Sequence, residues 1–251
     1  MSGWVKIIGL GPGDEALVTP EADHVLLSAT DVIGYFPYVA RVKSRPGLTL
    51  HASDNRVELE RSKQALALAA DGKRVAVVSS GDPGVFAMAA AVFEAVEHGP
   101  ENWRNLDIQI LPGITAMLAA AARVGAPLGH DFCAVNLSDN LKPWNLIEKR
   151  LRLAVEADFA MAFYNPRSKA RPDGFAKTLD ILRQCCEDDR PIVFARAVTT
   201  KDETIQIVGL SEAVPEMADM RTMVLVGSSQ TRLIQCKGKS PWVYTPRSVS
   251  R

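Results

Sequence analysis

Neither sign of charge is in excess: 29 Lys plus Arg balance 29 Asp plus Glu, for a formal net charge of zero. A protein that follows a nucleic-acid backbone with its whole surface carries a basic surplus. The balance therefore argues against a nucleic-acid partner, and leaves room only for a local basic patch. Cysteine is scarce. The four residues Cys133, Cys185, Cys186 and Cys236 include no C-x-x-C pair, so zinc and iron–sulfur ligation have no support and no metal is expected. No apolar run reaches the length of a membrane span. The amino terminus runs straight into a strand, without the charged and apolar regions of a secretory leader. A soluble cytoplasmic protein with no membrane partner is expected. The Gly-Lys-Ser/Thr ending of a Walker loop is also missing.

Hydrophobic residues make up 47% of the 251, enough for a sizeable core. Short apolar segments fall at 4–9, 31–34, 74–79, 107–111, 132–137, 158–164, 191–197, 204–208 and 222–227. Helical patterns fall near 20–28, 56–71, 85–97, 115–124, 143–156 and 173–186. Alternation in the first half implies parallel strands joined by right-handed crossovers. After about residue 190 the strands follow one another closely, which suggests antiparallel pairing. The Gly-Ala-Pro-Leu-Gly-His break at 125–130 marks a boundary. The expected fold is α/β, with two α/β domains (1–125 and 126–245) and a ligand cleft between them. The first sheet should be mostly parallel and the second mixed, with 246–251 a disordered tail.

Three glycine-bearing elbows follow strands: Gly9-Leu10-Gly11-Pro12-Gly13-Asp14, Ser79-Ser80-Gly81-Asp82-Pro83-Gly84-Val85-Phe86 and Leu111-Pro112-Gly113-Ile114-Thr115-Ala116. Ligands of open α/β sheets bind at the carboxyl ends of strands. The first elbow is not a dinucleotide fingerprint, because Asp14 stands where the third glycine belongs and Pro12 removes an amide donor. What remains is a turn that lets a ligand approach the backbone closely, or an ordinary strand-to-helix turn. Asp82-Pro83 reads as a helix cap followed by a first-turn proline, which leaves Gly81 and Gly84 unexplained. Thr115 reads as a cap of the next helix. The alanine-rich helices that follow suit close packing on a sheet.

The order of the three elbows, G-x-G-P-G-D, then S-G-D-P, then P-G-I-T-A, resembles the tetrapyrrole methylases, the class III S-adenosylmethionine-dependent methyltransferases. Gly125–Cys133, Leu137-Ser138-Asp139, Pro143-Trp144, Tyr164-Asn165-Pro166-Arg167-Ser168 and Gly227–Arg232 extend the resemblance along essentially the whole chain. It implies a homodimer that takes S-adenosylmethionine as methyl donor and releases S-adenosylhomocysteine. The implied reaction is C-methylation of precorrin-3B at C17 with ring contraction to precorrin-4, in cobalamin biosynthesis. Carried over by position, donor contacts would come from Pro12, Gly81, Asp82, Val85, Thr115, Ala116 and Asn165, with Val198 and Thr222 as further positions. Several relatives have a glycine-containing turn where this chain reads Arg196-Ala197-Val198-Thr199.

A polycarboxylate macrocycle needs a basic cleft, and Arg is suited to bind carboxylates bidentately. Arg167, Lys169 and Arg171 past Tyr164, together with Gly11 and Arg41, are the substrate-contact candidates. The alternative for the basic clusters is a solvated face. His130 and Asp131 are the candidate bases for the ring contraction; the alternative is a structural turn. The competing functions are a cobalt-factor III methyltransferase, an RNA or protein methylase of the same fold, and a non-catalytic tetrapyrrole-binding module.

Overall fold

The computed structural model describes residues 3–55 and 57–248. The chain divides into two compact units, Met1–Thr115 and Ala116–Arg251.

In the first unit, five strands form one sheet in the order β3-β2-β4-β1-β5, and every pairing is parallel. The strands are β1 (Trp4–Gly9), β2 (Asp31–Tyr35), β3 (Thr49–Ser53), β4 (Arg74–Ser79) and β5 (Asp107–Leu111). Parallel sheets are covered on both faces, so their central strands are apolar without interruption. Val75, Ala76, Val77 and Val78 accordingly have no exposed surface. Alternate residues feed two cores. Val5, Ile7, Ile33, Val75 and Val77 pack with α3 (Glu58–Ala70) and α4 (Met88–His98). Ile8, Val32, Ala76 and Val78 face the opposite way, toward α1 (Pro20–Ser28) and α2 (Phe36–Val39). Helix α1 starts where the sequence places it: Thr19 Oγ1 accepts from the Ala22 amide at 3.2 Å, and Pro20 opens the first turn.

The second unit contains a mixed sheet in the order β10-β9-β11-β8-β7. Its strands are β7 (Phe132–Asn136), β8 (Ala160–Tyr164), β9 (Pro191–Arg196), β10 (Thr204–Gly209) and β11 (Thr222–Val226). Only β7 and β8 pair in parallel. One face buries Phe163, Phe194 and Val224 under α6 (Trp144–Glu156) and α7 (Gly174–Cys185). Phe175 of α7 meets Phe194 edge-on at 5.9 Å. Burying each such side chain contributes roughly 1.5–3 kcal/mol. The other face carries Ala162, Val193, Ala195 and Leu225 beneath α5 (Ala116–Val124). A small sheet completes that side, ordered β12-β13-β6, from β12 (Arg232–Cys236), β13 (Lys239–Tyr244) and β6 (Gly125–Ala126).

Several details differ from the sequence expectations. The units divide at Thr115/Ala116, ahead of the Gly125 break, because Ala119, Ala120, Ala121 and Val124 of α5 pack into the second unit's core. Helix α4 begins at Met88, since Phe86 sits in the left-handed region (φ 53°) and cannot join a helix. Asp82 therefore does not cap it. Strands β3, β12 and β13 were not expected; their exposed and polar residues lack the apolar run that marks a buried strand. Thr245, at the edge of the expected tail, is buried and donates to the Pro127 carbonyl at 2.6 Å. Residues 249–251 of that tail lie outside the described residues.

Candidate functional site

The three elbows of the first unit converge at the carboxyl ends of β1, β4 and β5. Gly11 and Gly81 form a two-way main-chain bridge, N–H to O distances 3.2 and 2.8 Å, with both residues at positive φ. A Cβ on Gly9 would lie 2.6 Å from the Gly81 carbonyl oxygen and 2.8 Å from the Gly113 nitrogen. A Cβ on Gly113 would lie 2.2 Å from the same oxygen. Loop-on-loop contact thus requires these glycines, which supplies a reason beyond ligand approach. Asp82 ties the cluster together. Its Oδ1 accepts from the Gly84 amide at 2.8 Å, and its Oδ2 accepts from the Gly113 amide at 3.0 Å. Arg41 secures the first elbow by donating to the Gly11 carbonyl at 3.2 Å and to the Leu10 carbonyl. Burial lowers the Arg41 pKa from its ordinary value, partly offset by Glu15 and Tyr38.

Thr115 is buried just ahead of α5, and Ala116 opens that helix. Pro12 and Val85 lie on the elbows, half-buried.

In the second unit, β8 and β9 run the same way and β11 runs against both. The carboxyl ends of β7, β8 and β9 and the start of β11 therefore share one sheet edge, which brings Asn165, Val198 and Thr222 to it. Asn165 has φ 53°, and its Nδ2 donates to Asn136 Oδ1 at 3.1 Å. The same oxygen accepts from the Ser138 amide at 2.9 Å. Val198 is buried in the core, flanked by Ala197 (φ 49°) and Thr199 (φ 68°). The left-handed turn is kept here without glycine. Thr222 Oγ1 donates to Asp219 Oδ1 at 2.9 Å. Burial works to raise the Asp219 pKa, but hydrogen bonds from Arg196, Thr222 and the Arg221 amide outweigh it and hold the carboxyl below its ordinary value.

The basic candidates separate. Arg171 is mostly buried and donates to the carbonyls of Leu137 and Asn165, both at 3.4 Å. Arg167 donates to the Pro172 carbonyl at 3.3 Å and faces Glu216 at 3.7 Å. Lys169 is exposed. His130 and Asp131 precede β7, at the opposite edge of the sheet from Asn165; a five-residue strand spans about 17 Å. The Asp131 amide donates to His130 Nδ1 at 2.7 Å, and both residues line a cavity of about 180 Å³ with Asp158, Ser228 and Thr245. The structure does not bring them together with Asn165. Asn136, the last residue of β7, and Lys142, on the turn that follows, carry no motif in the sequence, although Asn136 bonds the Asn165 side chain and Lys142 the Ser138 carbonyl.

Residues 5–214 match the family model described as Tetrapyrrole (Corrin/Porphyrin) Methylases. The chain belongs to the tetrapyrrole methylases. This methylase is 51% identical over 247 residues to a Precorrin-3B C(17)-methyltransferase of Sinorhizobium sp, covering 98% of this chain and 97% of the relative. The crystal structure of the methyltransferase CobJ superposes with TM-score 0.93 at 64% identity, covering 98% of this chain and all of that one. The uroporphyrin-III C-methyl transferase of Thermus thermophilus, complexed with S-adenosyl homocysteine, shares the fold: TM-score 0.66 at 21% identity, with 90% of this chain and 97% of that one covered.

The methylase's elbows suit a cationic methyl donor. Segments 9–14, 79–86 and 111–116 contain no Lys or Arg. Their polar groups are main-chain amides and carbonyls, the hydroxyls of Ser79, Ser80 and Thr115, and the carboxylates of Asp14 and Asp82. That set is compatible with a sulfonium and poorly matched to a phosphate, which draws on basic side chains and a full run of amides.

Proposed function

We infer that this methylase transfers a methyl group from S-adenosylmethionine to C17 of precorrin-3B, with ring contraction to precorrin-4, in cobalamin biosynthesis. The observation that carries this reading is the 51% identity, over nearly the whole of both chains, to the Sinorhizobium enzyme of that name. The donor supplies an electrophilic methyl on a positively charged sulfur. The chain's own part is to position: the Asp82-stapled elbows present main chain to that charge, and Asn165 with Thr115 and Ala116 orient the donor. Holding the reactants in line can lower a barrier by about 7–11 kcal/mol. No metal is needed for the transfer. Arg167 and Lys169 face the substrate's carboxylates in this reading, with Gly11 and Arg41 on the first elbow, while Arg171 backs them by holding the Leu137 and Asn165 carbonyls. His130 and Asp131 stand at the far edge of the second sheet, so the contraction draws on the substrate's own hydroxyl chemistry or on a base nearer Asn165.

A homodimer of cytoplasmic location belongs to the same reading. It is consistent with an outward cross-strand pair on β12–β13, where Ile234 and Trp242 are half exposed. Among the described residues no helix is long and apolar enough to cross a membrane. The test is to incubate the protein with precorrin-3B and methyl-labelled donor and to read the product mass. Precorrin-4 carrying one labelled methyl is expected. Turnover of cobalt-factor III alone, or labelling of RNA or protein instead, would replace the reading. Sedimentation velocity settles the dimer.

A further inference from the structure

The turn between β7 and α6 carries two residues, Leu141 and Lys142, that the methyl-transfer machinery described above does not use, and Arg171 of the β8–α7 segment bonds to it. Leu141 is fully exposed, the most exposed large apolar side chain of the described residues. Lys142, next to it, folds back to donate from Nζ to the Ser138 carbonyl at 2.9 Å. Arg171 lies close by, with Asp139 4.0 Å from its Nε. Arg150 and Arg171 are the cations whose charge acts on Lys142, and Asp139 is the carboxylate that opposes them. Burial and then those two cations depress the Lys142 pKa, against the pull of Asp139. Like charges placed together destabilise a protein by itself, and an anion between them relieves the repulsion.

The turn is also wired to the donor-side edge. Lys142 is bonded to the Ser138 carbonyl, the Ser138 amide to Asn136 Oδ1, and that oxygen to the Asn165 side chain. Arg171 closes the loop through the carbonyls of Leu137 and Asn165. An ammonium has three donors, and the Ser138 carbonyl takes one of them.

We propose that this turn is a substrate rim: Lys142 receives a carboxylate of the tetrapyrrole, Leu141 lies against the ring's apolar face, and Arg171 positions the turn. An amphipathic ring edged with carboxylates is the ligand chemistry that an exposed leucine beside two cations recognises. The proposal rests on the tetrapyrrole substrate inferred above.

The experiment compares wild type with Lys142→Gln, Lys142→Arg and Leu141→Ser in precorrin-3B turnover. Calorimetric affinity for S-adenosylhomocysteine reports whether the donor side and the fold are intact. Loss of one partly exposed charged contact predicts a five- to tenfold rise in KM for Lys142→Gln, about 1–1.4 kcal/mol. The effect should fall on KM rather than kcat, with homocysteine-product affinity unchanged. Lys142→Arg should restore KM to within about twofold, and Leu141→Ser should raise it about two- to threefold. An unchanged KM for Lys142→Gln in an enzyme that turns over precorrin-3B overturns the rim and leaves the function standing. If wild type does not turn over precorrin-3B, the function reading fails. The rim is then judged on fluorescence titration with uroporphyrin I: the same ratio between wild type and Lys142→Gln supports it, and equal affinity or no binding overturns it.

Discussion

Removing the Asp82 carboxylate tests whether the elbow cluster is held together as the geometry implies. Asp82→Ala deletes two hydrogen bonds, to the Gly84 amide at 2.8 Å and the Gly113 amide at 3.0 Å. The Gly84 amide is exposed, so water replaces its partner and the cost is small, about 0.5 kcal/mol. The Gly113 amide is part-buried, packed where a Cβ would touch Gly9 and Gly81 main chain. Leaving it unpaired costs about 1.5 kcal/mol. The sum, about 2 kcal/mol, corresponds to a fall of about 4–8 °C in Tm for a chain of this size. Asp82→Asn keeps one acceptor oxygen and should lose about half as much. The assay is thermal unfolding followed by circular dichroism, paired with calorimetric titration of S-adenosylhomocysteine. Affinity should fall together with stability, and in the same order across the two variants. A Tm for Asp82→Ala within about 1 °C of wild type would refute the stapling argument. If affinity nevertheless fell, Asp82 would be a direct ligand contact.

Gly113→Ala should destabilise by at least about 3 kcal/mol, because the new methyl meets main chain that cannot swing away; a wild-type urea midpoint would count against the close loop packing. Ala197→Gly should stabilise by about 0.5–1 kcal/mol, since glycine relieves a left-handed residue at some cost in chain entropy. A lower Tm would show that the Ala197 methyl is needed. The Asp219 carboxyl is held low in the folded state. Its contribution is complete above the unfolded carboxylate value of about 3.9 and is lost as pH falls through the lower folded value. The stability gap between wild type and Asp219→Asn, read from urea melts, should therefore shrink between pH 5 and pH 3, and a constant gap would contradict the assignment.

How much of this was legible beforehand depends on the kind of signal. Strands β4, β9 and β11 are apolar over most of their length and buried on both faces, as is β1 apart from Trp4 and Lys6, so composition alone announces them. Strand β3 is half polar, and β12 and β13 are exposed; they exist because backbone groups at a sheet edge or in a hairpin need partners, which no apolar pattern records. The elbows were legible as glycine clusters, but their reason was only half visible. Nothing along the chain says that Gly9 and Gly113 press on the same carbonyl, because their neighbours come from different crossovers. Asp82 read as a helix cap for the same reason: one of its oxygens does accept from its own segment, at the Gly84 amide, but the other reaches across to the Gly113 amide of the third elbow.

The family, the α/β class and the site-bearing loops follow from local order of residues, since strand length, helix period and turn chemistry are short-range properties of the chain. Which end of a strand a residue reaches, and what it meets there, depends on pairing direction between segments far apart in sequence. That is why His130 and Asn165, both close to strand termini, end on opposite edges of one sheet, and why Lys142 came into view only once Asn136, Ser138 and Arg171 had been brought around it.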